Sequence, residues 1–141
     1  MVKKLIRHGA DANQKDINEC IPLHYASKID KVEAVEELIK YTDNINEKDI
    51  NQRTPLYYAV KLGHKKVVKK LIKHTGDINQ KDKNEWTLLH YAAQLGNIDV
   101  VKILVKNKAD VNAQNFYCEA PLDLAIINGH NVSSGLEYFL V

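Results

Sequence analysis

The sequence repeats itself every 33 residues, and this period constrains the fold more than any other feature of the chain. Six columns of identical or closely related residues recur at this step: Asn13, Asn46, Asn79 and Asn112; Asp16, Asp49, Asp82 and the substituted Asn115; Leu23, Leu56, Leu89 and Leu122; Ala26, Ala59, Ala92 and Ala125; Val2, Val35, Val68 and Val101; and Leu5, Leu38, Leu71 and Leu104. Six matching columns in four copies do not arise by chance. The chain is therefore built from repeated structural elements that must pack on one another.

One copy of the repeat has the features of a pair of short helices. Thr54-Pro55 places a side-chain oxygen at a helix N-cap and proline at the first helical position, where its missing N–H costs nothing. Gly63 follows about two turns later, where a left-handed residue ends a helix. Val68, Leu71 and Ile72 then form one apolar stripe on a second helix. Two short helices and a turn cannot enclose a core, so neighbouring copies must stack.

The repeat resembles the ankyrin repeat in its motifs as well as in its length. The matching motifs are Thr54-Pro55-Leu56-Tyr57, Ile21-Pro22-Leu23-His24, Thr87-Leu88-Leu89-His90, Ala120-Pro121-Leu122-Asp123, Leu62-Gly63-His64, Leu95-Gly96-Asn97, Asn128-Gly129-His130 and Ala109-Asp110-Val111-Asn112-Ala113. The resemblance implies an all-α fold, an ankyrin-repeat solenoid of stacked antiparallel helix pairs joined by hairpin loops. It also predicts a single domain over 1–141, divided into a truncated repeat at 1–11, full repeats at 12–44, 45–77 and 78–110, and a degenerate C-terminal repeat at 111–141.

The sequence departs from the family pattern at several turn and cap positions. Asp30 replaces the glycine that ends the first helix, which predicts a strained or reshaped turn there. Ile21 and Ala120 lack a capping oxygen, which weakens their short helices by about 1 kcal/mol each. The hairpin glycine is replaced by Glu19, Gln52, Glu85 and Cys118, and we expect the preceding asparagines to form the turns: Asn18, Asn51 and Asn84. Segment 131–141 loses the register of the repeat, so we expect an atypical cap or a frayed end.

Composition argues against several classes of protein. The formal net charge is +2, and arginine, the usual bidentate phosphate ligand, occurs only twice, so no strong footprint for nucleic acid or an anionic membrane is present. No apolar run approaches the ~18 residues of a spanning helix, and the N-terminus lacks the apolar segment of a secretory signal. We therefore expect a cytoplasmic, intracellular domain. A secreted effector that acts inside a host cell is the alternative left open.

The two cysteines are expected to be free thiols. Cys20 and Cys118 lie about three repeats apart in the sequence. Stacked helical repeats advance by roughly 10 Å each, which places the two residues about 30 Å apart. A disulfide needs Cα atoms within about 7 Å, so a bridge is excluded and a reducing compartment is expected.

The residues carry no recognisable pattern for catalysis or for metal binding. The six histidines fall into three repeat columns: His24 with His90, His64 with His130, and His8 with His74. In the ankyrin family the first of these columns bonds within and between repeats, so structural roles are expected. Nucleophile elbows, phosphate-binding glycine loops and helical zinc motifs are all missing. We therefore expect no enzymatic activity, no cofactor, no metal and no small-molecule substrate.

The resemblance implies that the chain is a protein–protein interaction module. It would bind an unidentified protein partner through a concave face of loop tips and short inner helices, and we expect it to be a monomer. One alternative is a structural spacer within a longer repeat array. A less favoured alternative is association with nucleic acid or a membrane through the lysines opposite the apolar stripe, which are otherwise a solvated face: Lys65, Lys66, Lys69, Lys70 and Lys73.

The slots that vary freely in the family give the candidate site. Carried over to this chain, they are Ile17, Asn18, Cys20 and Lys28; Ile50, Asn51, Arg53 and Lys61; Lys83, Asn84, Trp86 and Gln94; and Phe116, Tyr117, Glu119 and Ile127. Among them we select eight candidate partner-binding residues: Ile17, Ile50, Arg53, Lys83, Trp86, Gln94, Phe116 and Tyr117. Trp, Tyr and Arg dominate binding hot spots, and an exposed apolar cluster marks an interaction site. The alternative for Trp86 is that it folds onto the neighbouring loop and fastens the third repeat to the fourth.

Overall fold

A computed structural model describes residues 2–130 and Leu140. The chain divides into two compact units, Met1–Thr75 and Gly76–Val141. In unit one the helices are α1 (Val2–Arg7), α2 (Pro22–Lys28), α3 (Val32–Ile39), α4 (Pro55–Lys61) and α5 (Lys65–Ile72). In unit two they are α6 (Leu88–Leu95), α7 (Ile98–Lys106) and α8 (Pro121–Ile127). Residues 2–130 contain no strand, so the all-α prediction is confirmed for them.

Unit one is built from helix pairs that pack side by side. The short helix α2 packs against its own second helix α3 and against the next short helix α4, while α5 packs against α3 and α4. The core between them consists of columns identified from the repeat, including Leu23, Val35, Val68 and Leu71, each fully buried. Burying these side chains stabilises a helix pair that could not enclose a core alone.

Unit two repeats the same packing on its own. Helix α6 packs against α7 and against α8. Its core contains Leu89, Ala92, Val101, Leu104 and Ala125, from the same repeat columns. The same repeat columns therefore form the core within each unit.

The short helices begin in two ways. Thr54 and Thr87 cap their helices as the sequence predicts. The side chain of each accepts a hydrogen bond from the backbone N–H of the residue three positions later. Ile21 and Ala120 provide no side-chain cap, which is also as predicted. At these two positions the third helical residue reaches back, because the Ile21 N–H donates to His24 Nδ1 (3.1 Å) and the Ala120 N–H donates to Asp123 Oδ2 (2.8 Å). This return bond offsets part of the lost cap.

The strained residue of each loop is the one in the hairpin-glycine column. Glu19, Gln52, Glu85 and Cys118 all have φ between 59° and 62°. The preceding asparagines lie within the turns, as predicted, at Asn18, Asn51 and Asn84, but the left-handed residue is the one that follows each of them. Asp30 also lies in the left-handed region, with φ 57°, which confirms the strained turn predicted there. These side chains adopt a conformation that is uncommon outside glycine, so the surrounding hydrogen bonds must hold it.

The first helix of unit one is a half-covered edge. None of the residues of α1 is buried. Leu5 is 51% exposed, whereas Leu38 in the same repeat column is 4% exposed and Leu71 is fully buried. At the other end of the chain, the predicted cap or frayed segment at 131–141 lies outside the described residues except for Leu140, which is buried.

Candidate functional site

Each hairpin loop is held by one carboxylate or amide side chain. Asp16 Oδ1 accepts hydrogen bonds from the amides of Asn18 and Cys20, both at 2.9 Å. Asp49, Asp82 and Asn115 make the same pair of bonds in the loops 49–53, 82–86 and 115–119, at 2.9 to 3.0 Å. The loop tips are thereby fixed by side-chain contacts within the loop. This column therefore supplies the residue that fixes the turn of each loop.

Neighbouring loop tips are joined in each unit. In unit one the Ile50 N–H donates to the Asn18 carbonyl oxygen at 2.9 Å. In unit two the Phe116 N–H donates to the Asn84 carbonyl oxygen at 3.4 Å. Each unit therefore presents a continuous edge of two loops. We call loops 16–20 and 49–53 with helices α2 and α4 the unit-one surface, and loops 82–86 and 115–119 with α6 and α8 the unit-two surface.

The unit-one surface contains three of the eight candidate residues. Ile17 is 91% exposed and Ile50 is 57% exposed, on the two joined loop tips. Arg53 is exposed at the end of the second loop, and its guanidinium carbon lies 4.9 Å from the centre of the Tyr57 ring. Cys20, which belongs to a slot expected to be accessible, is instead 3% exposed, because its side chain turns inward towards Asp49.

A row of tyrosines beside these candidates was not predicted from the sequence. Tyr25 donates its hydroxyl hydrogen bond to Asp16, and Tyr58 donates to Asp49. The pKa of each hydroxyl is raised to about 12, for Tyr25 mainly by the bond to Asp16 and for Tyr58 mainly by burial. The pKa of the Asp16 carboxyl is lowered in turn, mainly by the hydroxyl of Tyr25. The same loop carboxylate thus holds both the loop backbone and a ring on the following short helix.

A signal for these pairs exists in the repeat columns. The tyrosine column runs Tyr25, Tyr58 and Tyr91, and its fourth member is Leu124. Tyr91 donates to Asp82 in unit two as the other two tyrosines do in unit one. In the fourth repeat the aspartate column changes to asparagine and the tyrosine column changes to leucine in the same copy, which indicates a contact between the two columns.

The unit-two surface carries the other five candidates. Phe116 is 65% exposed and Tyr117 is 81% exposed on one loop tip, and Lys83 is exposed on the other. Trp86 is half-buried, with its ring centre 4.8 Å from that of Tyr91. Gln94, on helix α6, is half-buried. The structure therefore brings the aromatic candidates onto adjoining loops of one unit, with Trp86 resting on the helix of its own repeat.

The buried histidines have structural roles, as the sequence predicts. His90 Nδ1 accepts the Thr87 amide at 3.0 Å, and its Nε2 donates to the Glu119 carbonyl oxygen at 2.9 Å. His24 makes the corresponding bonds to the Ile21 amide and the Arg53 carbonyl oxygen. Burial lowers the pKa of both rings, so they are neutral at pH 7. Within the described part of the chain, no three histidine, cysteine or acidic side chains are grouped to hold a metal ion.

The lysines of α5 lie on the side of that helix away from the core. Lys65, Lys66, Lys69 and Lys73 are exposed, and Lys70 forms an ion pair with Glu36 at 2.9 Å. Both cysteines are free thiols, Cys20 buried and Cys118 exposed. Among the residues that the structure describes, no helix is long and apolar enough to cross a membrane.

Comparison with known proteins gives two matches to family profiles. A profile described as "Ankyrin repeats (3 copies)" matches residues 1–82, and one described as "Ankyrin repeats (many copies)" matches residues 71–125. No curated protein matches the chain. Ankyrin repeats are generally protein-interaction modules, and the family is typically non-enzymatic. The matches agree with the helix pairs, the 33-residue columns and the loop geometry described above, and the chain belongs to the ankyrin-repeat family.

Proposed function

We propose that this chain is a protein-interaction module that binds its partner through the unit-one and unit-two surfaces. The observation that carries this proposal is the exposure of large apolar side chains at the loop tips, where Ile17, Ile50, Phe116 and Tyr117 are 57 to 91% exposed. Exposed apolar side chains that cluster mark an interaction site, and each of the two surfaces carries one such pair. Their loops are fixed by internal hydrogen bonds, which reduces the entropy that binding must offset.

Two alternatives make different predictions about which surface is used. A structural spacer would leave the loop tips without a partner. Association with nucleic acid or a membrane would use the exposed lysines of α5, such as Lys66. The loop-tip surfaces are favoured because they combine apolar and aromatic side chains with Arg53, the residue types that dominate protein-binding hot spots.

Site-specific photocrosslinking separates these alternatives. A photoreactive amino acid replaces Tyr117 on the unit-two surface, Ile17 on the unit-one surface or, as a control, Lys66 on α5. We expect protein adducts from the first two positions and none from the third. Adducts from Lys66 alone, or nucleic acid recovered from that position, would contradict the proposal.

Trp86→Ala should weaken binding of the crosslinked partner by about 2 kcal/mol or more, because tryptophan is one of the residue types that dominate binding hot spots. The melting temperature should change little, since Trp86 is only half-buried and rests on Tyr91 and His90. Trp86→Phe keeps an aromatic ring and serves as the matched control. Calorimetry on the three proteins checks both quantities. A large fall in melting temperature with unchanged affinity would show instead that Trp86 belongs to the scaffold.

We further propose that the chain binds its partner as a monomer in a reducing intracellular compartment. The free thiols of Cys20 and Cys118 support the compartment. A secreted effector that acts inside a host cell would also work in a reducing compartment, so the free thiols are compatible with that alternative. Light scattering on the purified chain measures the oligomeric state, and a dimer at micromolar concentration would contradict the first part of this proposal.

A further inference from the structure

We propose that the unit-one surface binds an acidic, extended segment of a partner protein, with Lys28 and Arg53 as the cations that receive its carboxylates. This inference rests on the proposed function, because it names the chemistry of the partner at one of the two surfaces. It comes from the way in which the basic side chains of unit one are held.

Both cations are positioned over aromatic rings. The Lys28 ammonium lies 4.3 Å from the centre of the Tyr58 ring and 5.1 Å from that of the Tyr25 ring. The Arg53 guanidinium lies 4.9 Å from the centre of the Tyr57 ring. Cation–π contacts of this kind restrict long side chains while leaving their N–H groups able to donate. A bound carboxylate therefore meets cations that have already lost part of their conformational freedom.

The rings themselves are fixed. Tyr25 and Tyr58 are anchored through their hydroxyl groups to Asp16 and Asp49. Tyr57 packs edge-on against Tyr58, with ring centres 5.2 Å apart. The three rings form a frame on helices α2 and α4, and this frame sets where the two cations lie.

The carboxylates near the frame are already engaged by the protein. Asp49 is 2% exposed, and Asp16 and Asp49 each accept two loop amides and one tyrosine hydroxyl. The exposed acid of the first loop, Glu19, interacts with Lys15. The charged residues in the variable slots of unit one are thus Lys28, Arg53 and Lys61, which are all basic. In the corresponding slots of unit two, Lys83 and Glu119 have opposite charges.

This charge pattern selects a protein segment over a nucleic acid. Three cations are few for a phosphate backbone, whose binding grows with the number of phosphates neutralised. Single-stranded nucleic acids also need open aromatic faces for base stacking. Here one face of the Tyr57 ring and one face of the Tyr58 ring are covered by Arg53 and Lys28. Exposed Ile17 and Ile50 beside them favour a segment that mixes apolar residues with its acids.

Fluorescence anisotropy with the full chain tests the inference. The probe is a labelled twelve-residue peptide of alternating glutamate and serine. Lys28→Gln and Arg53→Gln should each weaken its binding about three- to fivefold, the range expected for one partly exposed ion pair. Arg53→Lys should retain most of the affinity. Lys66→Gln makes the same change of charge on the exposed side of α5 and should leave the affinity unchanged.

Several results would overturn the inference. One is an equal loss of affinity in Lys66→Gln, which would indicate a general effect of net charge. Others are tighter binding of a labelled lysine–serine peptide, or of a twelve-nucleotide oligothymidylate. Thermal melting checks that each variant is folded. If Lys28→Gln has a lowered melting temperature, the test is the difference in peptide affinity between Arg53→Gln and Arg53→Lys. Photocrosslinks at Tyr117 and Ile17 without binding of the acidic peptide would leave the proposed function standing and reject this inference alone.

Discussion

His24 and His90 are buried side chains whose protonation the fold opposes. Each ring accepts an amide hydrogen bond at Nδ1 and donates from Nε2 to a carbonyl oxygen, so an added proton would have to displace the bond at Nδ1. Their pKa values are lowered below the ordinary 6.5, mainly by burial. The unfolded chain then binds more protons than the folded chain as the pH falls below 6.5. The stability that the neutral rings provide is complete above that pH and is lost progressively below it.

We therefore expect the free energy of unfolding, measured with urea, to decrease between pH 7 and pH 5. His24→Gln combined with His90→Gln should flatten this dependence, whereas His8→Gln, at an exposed position, should leave it unchanged. An unaltered slope in the double variant would show that other groups cause the loss of stability.

The tyrosine–aspartate contacts give a matched pair of substitutions. Tyr58→Phe removes a hydrogen bond to Asp49, a carboxylate that is 2% exposed, and should cost about 1 to 3 kcal/mol because a buried acceptor loses its partner. Tyr25→Phe removes the bond to Asp16, which is exposed and regains it from water, so its cost should be smaller. Urea denaturation of both variants gives the comparison. A larger loss in Tyr25→Phe would contradict this ranking.

At the scale of the helices, stability depends on whether a second helix is covered by the short helix of its own repeat. Leu71 on α5 is fully buried, so Leu71→Ala should cost about 2 to 5 kcal/mol. Leu5 on α1 occupies the same column and is 51% exposed, so Leu5→Ala should cost clearly less. Equal losses in urea denaturation would mean that α1 is as well packed in solution as α5.

The helices and their core were predictable because their signals are periodic and local. The Leu71 column, the Thr54 cap and the loop role of Asp16 all follow from spacing and side-chain chemistry. The burial of Cys20 was not predictable, because its slot is variable in the family and only the turn towards Asp49 decides its direction. The cation–π frame was missed because Lys28 approaches the ring of Tyr58 from a different repeat, at a sequence separation that no helical pattern reports.

At the scale of the whole molecule, the helices differ in how many of their residues are buried. Helix α1 contains no buried residue, whereas α5 and α7 each contain four. Local opening begins where the fewest apolar side chains are buried. Amide hydrogen exchange should therefore be at least about tenfold faster in α1 than in α5. Equal protection of the two helices would contradict this order of opening.

One column of residues fixes the conformation of the hairpin loops and leaves the next position free to vary. Its members are Asp16, Asp49, Asp82 and Asn115. Each member holds the backbone of its loop through the same two amides. The position that follows it carries isoleucine twice, then lysine, then phenylalanine, without a change in loop geometry. The loop backbone therefore keeps its conformation while the side chain at the following position varies. A library randomised at 17, 50, 83 and 116 should retain its fold while acquiring new binding specificities, which would make this chain a scaffold for selected binders.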